Sequence, residues 1–228
     1  MKTVFATFNF RNNDLATADR LYLENHVQLT LQIPNLRQYI MGVIRPYSRY
    51  QLPHRAAFNY FDDTSAMQWA LHRSPAAKAL LRDGAAHLRV NRWLELDSEI
   101  VVPFESRRAG LKCFVLAAEF ELNLKGNDVE AAEKHYMDYH VDQAKRLPNL
   151  RHYMISKYQM RGKMKTGMTA EGARSTAPNP LRMAMLVFDS FESLRDAYNS
   201  PVGQELEEEE KATITTSRVY RIDATVQL

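Results

Sequence analysis

The stretch "HVQLTLQIPNLRQY", residues 26–39, recurs in the same chain as "HVDQAKRLPNLRHY", residues 140–153. Aligned without a gap, positions 22–39 and 136–153 share eight identical residues in eighteen positions. The identical pairs are Tyr22/Tyr136, His26/His140, Val27/Val141, Pro34/Pro148, Asn35/Asn149, Leu36/Leu150, Arg37/Arg151 and Tyr39/Tyr153. Self-similarity on this scale indicates an internal duplication.

The similarity extends to both sides of the repeated stretch. Alternating apolar runs, "TVFATFNF" and "CFVLAAEFEL", precede the two copies and predict strands. Further along, "AFNYFDDTSAMQWALHRSP" matches "AMLVFDSFESLRDAYNSP", and a strand-like run closes each half. Each half is therefore predicted to follow the order β-α-β-β-α-β of a ferredoxin-like sandwich. The predicted fold class is α+β, with tandem halves at residues 1–104 and 111–228 whose sheets pack face to face in one closed barrel.

Local signals predict how the helices of each half begin and end. Asp62 or Asp63 in the first half, and Asp189 in the second, are predicted N-caps of the second helix. The pairs Ser74-Pro75 and Ser200-Pro201 are predicted to interrupt those helices. The acidic run "ELEEEEK", residues 205–211, is interpreted as a solvated helix face. Residues 160–182 carry no periodicity and predict a long loop that could cover a pocket.

Composition excludes several classes of protein. The chain has 228 residues, a net charge of +3 and 45% hydrophobic residues, and its basic residues are scattered, so nucleic-acid binding has no support. No apolar run long enough to cross a bilayer and no signal peptide is recognised, so no membrane association and a cytoplasmic location are expected. The single cysteine, Cys113, excludes an internal disulfide and is expected to be a buried small side chain.

The motif Tyr-x-x-x-His followed by Pro-Asn-Leu-Arg-x-Tyr, present at residues 22–39 and 136–153, resembles the first helix and second strand of EthD-like proteins. These proteins are members of the dimeric α/β barrel superfamily. The resemblance covers most of both halves and implies a tandem form in which one chain makes its own pseudo-dimer. The superfamily includes cofactor-free monooxygenases, cyclases, dehydratases, isomerases, lyases and haem-binding enzymes, so the resemblance implies an active site between sheet and helices rather than one reaction.

A tyrosine and a histidine four residues apart occupy one face of the first helix in each half. Tyr22 and His26, and likewise Tyr136 and His140, are expected to face the sheet. Histidine exchanges protons near neutral pH, which suits enolisation, dehydration or lyase chemistry, and the tyrosine would orient it or bind a carbonyl. The alternative is that each histidine is a core residue with satisfied ring nitrogens. These four residues are the candidate catalytic set, with His140 favoured because its half carries the long loop.

A second set of residues is predicted to bind substrate. Arginine can bind a carboxylate or enolate, although an arginine after a turn commonly pairs with a nearby acid. Polar and aromatic residues of the first loop could form a pocket rim. The predicted substrate-binding residues are Arg151, Arg37, Tyr153, Tyr39, His54 and Tyr50. No metal site is predicted, because His135 and His140 are five residues apart and would lie on different faces of a regular helix.

Three functions remain open from the sequence. The first is a cofactor-independent enzyme that moves a proton on a small aromatic or polyketide-like substrate, as a lyase, dehydratase, cyclase, isomerase or monooxygenase. The second is a haem-binding barrel in which a helix histidine is the axial ligand. The third is a non-catalytic ligand-binding module. A homodimer of the pseudo-dimeric chain is a further possibility.

Overall fold

The computed structural model describes residues 1–45, 53–105, 109–124, 128–158 and 181–228. Tyr50 and nearly all of the predicted long loop lie outside the described residues.

The first half contains four strands and three helical segments, one of them interrupted by a π turn. In chain order these are β1 (Lys2–Phe10), α1 (Leu15–Leu21), the first π turn (Tyr22–His26), α2 (Val27–Leu31), β2 (Gln38–Ile44), β3 (Arg55–Phe61), α3 (Thr64–His72), α4 (Pro75–His87) and β4 (Leu88–Val102).

The second half repeats this order. Its elements are β5 (Lys112–Leu122), α5 (Val129–His135), the second π turn (Tyr136–His140), α6 (Val141–Ala144), β6 (His152–Tyr158), β7 (Arg182–Phe188), α7 (Phe191–Asn199), α8 (Pro201–Thr213) and β8 (Ile214–Val226). None of the helices in the described ranges combines the length and the hydropathy needed to span a bilayer.

The strands form an antiparallel eight-stranded barrel in the order β1-β3-β2-β8-β5-β7-β6-β4. In the first half β1 pairs with β3 and β4, with Phe5 opposite both Phe58 and Leu94, and β2 continues the sheet through Ile40 opposite Phe58. In the second half β7 lies between β5 and β6, with Leu186 opposite both Leu116 and Tyr153. The predicted α+β class with antiparallel pairing is confirmed.

The chain divides into two compact units that exchange the ends of their strands. The first unit comprises Met1–Asp97, Arg107–Lys112 and Ile222–Leu228, and the second comprises Ser98–Ser106 and Cys113–Arg221. The end of β8 therefore belongs to the first unit, where Ile222 pairs with Ile44 and Val226 with Ile40. Gly42 permits this pairing, because a Cβ at that position would overlap the backbone of Asp223.

Helix capping differs from the predictions at two places. Asp63 caps α3 as predicted, but the N-cap of α7 is Ser190 and not Asp189, whose carboxylate instead binds Arg151. The Ser-Pro pairs do not merely end a helix. Ser74 and Ser200 each cap the start of a further helix whose first residue is the proline, a position where the missing N–H costs nothing. Each half therefore has one more helix, α4 or α8, than predicted.

The turn before each second strand requires an unusual backbone conformation. Asn35 and Asn149 have φ angles of 61° and 60°, the left-handed region that asparagine tolerates better than most side chains. The repeated Pro-Asn pair is thus explained as turn chemistry.

A hydrophobic core lies between helices and sheet in each unit. The first is built around Val4, Tyr22, Tyr39, Phe61 and Met67, and the second around Phe114, Tyr136, Tyr153, Phe188 and Leu194. Cys113 is buried as expected, and burial raises the pKa of its thiol to about 12, so the thiol stays protonated at neutral pH.

Candidate active site

The repeated tyrosine and histidine lie at the two ends of a π turn in each half. The backbone N–H of Val27 donates to the carbonyl of Tyr22, and that of Val141 to Tyr136, which are i→i+5 hydrogen bonds. Such a bond encloses one residue more than a regular helical turn. Short π segments inside α-helices occur frequently at functional sites. The duplicated motif therefore encodes the same local distortion twice.

Within each π turn the tyrosine and histidine rings stack. Their centroids are 5.2 Å apart for Tyr22 and His26, and 4.9 Å apart for Tyr136 and His140. The prediction that each pair shares one helix face agrees with this geometry.

In the second half a buried carboxylate holds the histidine. His140 Nδ1 lies 2.5 Å from Glu209 Oε2, and the His140 side chain is 5% exposed. A carboxylate only accepts hydrogen bonds when ionised, so Nδ1 carries the proton and neutral His140 presents an unprotonated Nε2. A carboxylate behind a histidine in this way fixes the tautomer and orientation of the ring.

Two further donors hold Glu209 itself. His135 Nε2 lies 2.9 Å from Oε1, and the Thr213 hydroxyl donates to the same oxygen at 2.8 Å. Burial raises the pKa of the Glu209 carboxyl, but hydrogen bonds from His140, Thr213 and His135 outweigh this, and the net pKa lies below the ordinary value. Glu209 is therefore ionised at neutral pH.

The position of His135 corrects the expectation from sequence. His135 and His140 were expected on different helix faces, yet both contact the Glu209 carboxylate, because the π turn between them brings residues five apart onto one side. No group of three or more metal-ligating side chains arranged for a metal ion occurs in the described part of the chain.

The first half contains the matching pair. His26 Nδ1 lies 2.7 Å from Asp83 Oδ2, and Asp83 occupies in α4 the position of Glu209 in α8, counted from the aligned Ser-Pro pairs. Burial lowers the pKa of His26, with Asp83 opposing the shift, so the net pKa lies below the ordinary value of 6.5. Both histidines therefore have the orientation that suits a proton acceptor.

The two halves differ in the space beside the histidine. In the second unit His140 lines a cavity of about 350 Å³ between helices and sheet, a volume within the range of small-molecule sites. Its walls are mainly apolar and come from the strands and from α7 and α8, including Leu116, Ala184, Leu186, Phe191, Leu194, Leu206 and Val219. Besides His140, the polar groups that line it are Tyr153, Arg195, Tyr198, Asn199, Glu207, Glu210, Thr216 and Arg221.

The cavity beside His26 is nearly closed. Its volume is about 30 Å³, room for little more than a water molecule. Aligned from the Ser-Pro pairs, Trp93 of β4 corresponds to Val219 of β8, and Trp93 packs against the first hydrophobic core while Val219 lines the larger cavity. The indole is larger than the isopropyl group at the aligned position, and Trp93 is not among the residues that line the small cavity.

The tyrosine pairs of the two halves also differ in the contact between their hydroxyls. The hydroxyls of Tyr22 and Tyr39 are 2.8 Å apart and hydrogen-bonded. In the second half the hydroxyls of Tyr136 and Tyr153 are buried and interact with each other, but the contact does not meet strict hydrogen-bond geometry. Burial is the main cause that raises the pKa of all four, so all remain protonated at neutral pH. The Tyr153 side chain forms part of the wall of the larger cavity, with its hydroxyl buried.

The other predicted substrate-binding residues lie elsewhere. Arg37 binds Asp62 and Arg151 binds Asp189, both pairs are exposed, and neither arginine lines a described cavity. These arginines satisfy the alternative of pairing with a nearby acid. His54 contacts Asp19 at 3.2 Å and packs against Phe10, away from the larger cavity. Tyr39 is buried against Tyr22.

Sequence reasoning missed two of the five acidic residues of α8, Glu209 and Glu210. The run at residues 205–211 was interpreted as a solvated face, which is wrong for Glu209 and Glu210, since Glu209 holds His140 and Glu210 lines the cavity. One signal could have revealed Glu209. Alignment of Ser200-Pro201 with Ser74-Pro75 places an acid, Asp83 or Glu209, nine residues after the serine in both halves.

Comparison with known proteins identifies the fold class first. The chain resembles proposed monooxygenases from Fusobacterium nucleatum (TM-score 0.68, 11% identity, 100% of this chain and 92% of that chain) and Lactobacillus acidophilus (TM-score 0.62, 13% identity, 99% and 94%). A dye-decolorizing peroxidase from Bacteroides thetaiotaomicron also matches (TM-score 0.56, 7% identity, 97% and 92%). At these identities the likeness shows the fold alone.

A family model matches part of the second half. Residues 125–217 match the model of the EthD domain, so the resemblance to EthD-like proteins noted from the sequence is confirmed for this segment. The matched segment contains both His140 and Glu209. No curated protein matches the sequence.

Proposed function

We propose that this protein is an enzyme that transfers a proton on a small, largely apolar organic molecule bound in the cavity of its second half. The observation that carries the proposal is the pairing of His140 with Glu209 at the wall of a cavity of about 350 Å³. The substrate class is an aromatic or polyketide-like compound with a carbonyl or phenol. The underlying architecture is a tandem duplication of a ferredoxin-like half.

His140 is the general base. Its Nδ1–H is engaged by Glu209, and no hydrogen bond to Nε2 forms within the described residues, so the lone pair of Nε2 is available to a bound molecule. Ionised Glu209 stabilises the imidazolium that forms when Nε2 takes a proton. Removal of a proton next to a carbonyl is the common first step of isomerase, lyase, dehydratase and cyclase reactions, and deprotonation of a phenol also begins cofactor-free oxygenation.

The remaining side chains have supporting roles. Tyr136 stacks on the His140 ring and limits its rotation. Tyr153 forms part of the cavity wall, and its buried hydroxyl lies beside that of Tyr136. A ligand that fills the cavity displaces water from beside His140, which strengthens the electrostatic interactions of the site.

Exchange of carbon-bound hydrogen for deuterium tests the proposal. 1-Indanone, a small aryl ketone, and a panel of related aryl ketones and phenols would be incubated with the protein in D₂O and followed by proton NMR. We expect the wild type to accelerate exchange next to the carbonyl, and His140→Asn to return it to the rate of buffer. Binding without any acceleration across the panel would favour the non-catalytic ligand-binding module.

Haem binding is the second candidate, favoured by the donor set at the same cavity. A neutral imidazole backed by a carboxylate on Nδ1 is the usual arrangement of a metal-ligating histidine, so His140 would hold the haem iron. Arg195 and Arg221 at the cavity wall suit the acidic side groups of haem. Bound haem would supply redox chemistry. Titration with haemin distinguishes this candidate, since it predicts a Soret band with the wild type that His140→Ala abolishes.

A further inference from the structure

Glu210 is a second titratable group in the cavity. It follows Glu209 in α8, and while Glu209 holds His140 from behind, Glu210 lines the cavity itself. No ion pair or hydrogen bond of the Glu210 carboxylate is formed within the described residues. Its position and that of His140 allow the two groups to act on one bound molecule.

The first half lacks this carboxyl. The position that corresponds to Glu210, counted from the aligned Ser-Pro pairs, is Gly84 in α4. A Cβ at Gly84 would lie 3.5 Å from Cε1 of His26, so a side chain at this helix position stands directly beside the histidine ring. The carboxyl is therefore present only in the half that has an open cavity.

We propose that Glu210 is the proton donor of this cavity and acts on the ligand oxygen while His140 removes a proton from the neighbouring carbon. The proposal rests on the proposed function of the same site. His140 Nε2 takes the proton of the C–H bond, the electron pair of that bond forms the C=C bond, and the carbonyl π electrons move to oxygen, which receives the Glu210 proton. The products are an enol, a protonated His140 and an ionised Glu210, so charge and atoms balance without a further reactant.

The electrostatic surroundings favour a protonated Glu210. Burial raises the pKa of its carboxyl, as does the charge of Glu209 and of Glu207, whereas His140 opposes the shift, and the net pKa lies above the ordinary value of 4.5. The groups that face Glu210 from neighbouring elements or share its cavity are His140, Tyr136, Tyr153, Tyr198, Arg195 and Arg221. The tyrosines have raised pKa values, with burial as the main cause, and stay neutral.

Two variants of Glu210 distinguish the effect of its acidic proton from the effect of its size. Glu210→Gln keeps the size and can still donate a hydrogen bond but carries no acidic proton, and Glu210→Gly introduces the residue found in the first half. With 1-indanone in D₂O, we expect both variants to lower the exchange rate by about 10²-fold or more, the scale of general acid catalysis. The wild-type rate should fall at high pH as Glu210 ionises, and in Glu210→Gln this fall should disappear.

A readout without substrate accompanies the kinetic one. Carbon-13 NMR of the full-length protein with labelled glutamate carboxyls, assigned by the signal missing from Glu210→Gln, measures the protonation of Glu210 directly. We expect a titration above the ordinary glutamate range. A titration at or below that range, or a Glu210→Gln variant with the wild-type rate and pH profile, overturns the role of Glu210. Unchanged exchange in His140→Asn instead overturns the proposed function, so the two failures are distinct.

Discussion

At the scale of single residues, the two histidines of the repeat each have a carboxylate partner at the same aligned position but differ in their surroundings. His26 is wedged beside a cavity of about 30 Å³, while His140 borders one of about 350 Å³. A truncated His26 would leave a hole and an under-satisfied Asp83. Near His140 water can enter, and Glu209 keeps its bonds to His135 and Thr213.

We therefore predict that His26→Ala lowers the free energy of unfolding by about 1–3 kcal/mol, and that His140→Ala lowers it by less. Urea denaturation at neutral pH measures both values. Equal or greater destabilisation by His140→Ala would mean that His140 belongs to the folding core.

Replacement of Glu209 tests the orientation of His140. Glu209→Gln removes the charge that stabilises protonated His140 and permits the other tautomer, so we expect the rate of ketone hydrogen exchange to fall about 10- to 100-fold. Ligand affinity should change little, because Glu209 does not line the cavity. His140 signals in nitrogen-15 NMR report the tautomer, and a variant with unchanged tautomer and unchanged rate would contradict this role.

Stability as a function of pH tests the ionisation of Glu210. Because its pKa in the folded state is raised above the ordinary value of 4.5, ionisation opposes folding. The free-energy cost of ionising Glu210 is absent below about pH 4.5 and grows as the pH rises to the folded-state pKa. We expect Glu210→Gln to gain stability relative to the wild type over that interval and to keep the gain at neutral pH, as measured by urea denaturation from about pH 4, near the ordinary pKa of a glutamate, up to neutral pH. Parallel curves would contradict a raised pKa.

At the scale of elements, the π turn places the histidine against its carboxylate. Deletion of Tyr139, an exposed residue of the second π turn, would close the segment as a regular helix in which His135 and His140 stand four residues apart and still share one face. We expect a folded protein that keeps the contact with Glu209 and the exchange activity, and loss of both would show that the extra residue of the π turn is needed to position His140. Tyr139→Ala keeps the number of residues and is the control that should behave as the wild type in circular dichroism and exchange.

The open cavity depends on a strand residue. Val219→Trp introduces the side chain that stands at the aligned position of the first half, Trp93, and we expect it to fill the cavity. 1-Indanone binding, followed by ligand-observed NMR, should be lost while the melting temperature stays the same or rises. Val219→Ile is the smaller control, and a Val219→Trp variant that still binds the ketone would show that the ligand site lies elsewhere.

The sequence predicted more of the elements than of the site. Alternating strands, the helix face with Tyr136 and His140, and the Pro-Asn turns follow from short-range patterns that one chain segment carries alone. The π turns were missed because a single i→i+5 hydrogen bond leaves no recognisable pattern in the sequence. The capping of α4 and α8 by Ser74 and Ser200 was missed because the Ser-Pro pairs were interpreted only as interruptions of a helix. Glu209 and Glu210 were missed because an acidic run is usually solvated, and only the packing of α8 against the π turn distinguishes them from their neighbours.

At the scale of the whole molecule, the last residues of the chain stabilise the first unit. Ile222–Leu228 belong to that unit, and their buried side chains Ile222, Ala224 and Val226 accompany the pairing of β8 with β2. The boundaries predicted at residues 104 and 111 and the predicted homodimer stay predictions.

A truncation after Arg221 tests this exchange of strand ends. We expect β2 to become an edge strand, the β2 amides that face β8 to lose protection in hydrogen exchange, and the first unit to lose stability. Removal of Leu228 alone, which leaves the residue pairs between β2 and β8 from Ile40–Val226 to Ile44–Ile222 in place, is the control. Unchanged protection of Ile40–Ile44 in the truncated protein would contradict the assignment of these residues to the first unit.

The central claim is that one duplicated motif acts as a base only where the molecule leaves room for a substrate. The most direct measurement compares His140→Asn with His26→Asn in the deuterium exchange of 1-indanone, at a pH where both variants are folded. The account predicts that His140→Asn reduces exchange to the rate of buffer and that His26→Asn retains the wild-type rate. Equal losses in the two variants, or a loss in His26→Asn alone, would contradict it.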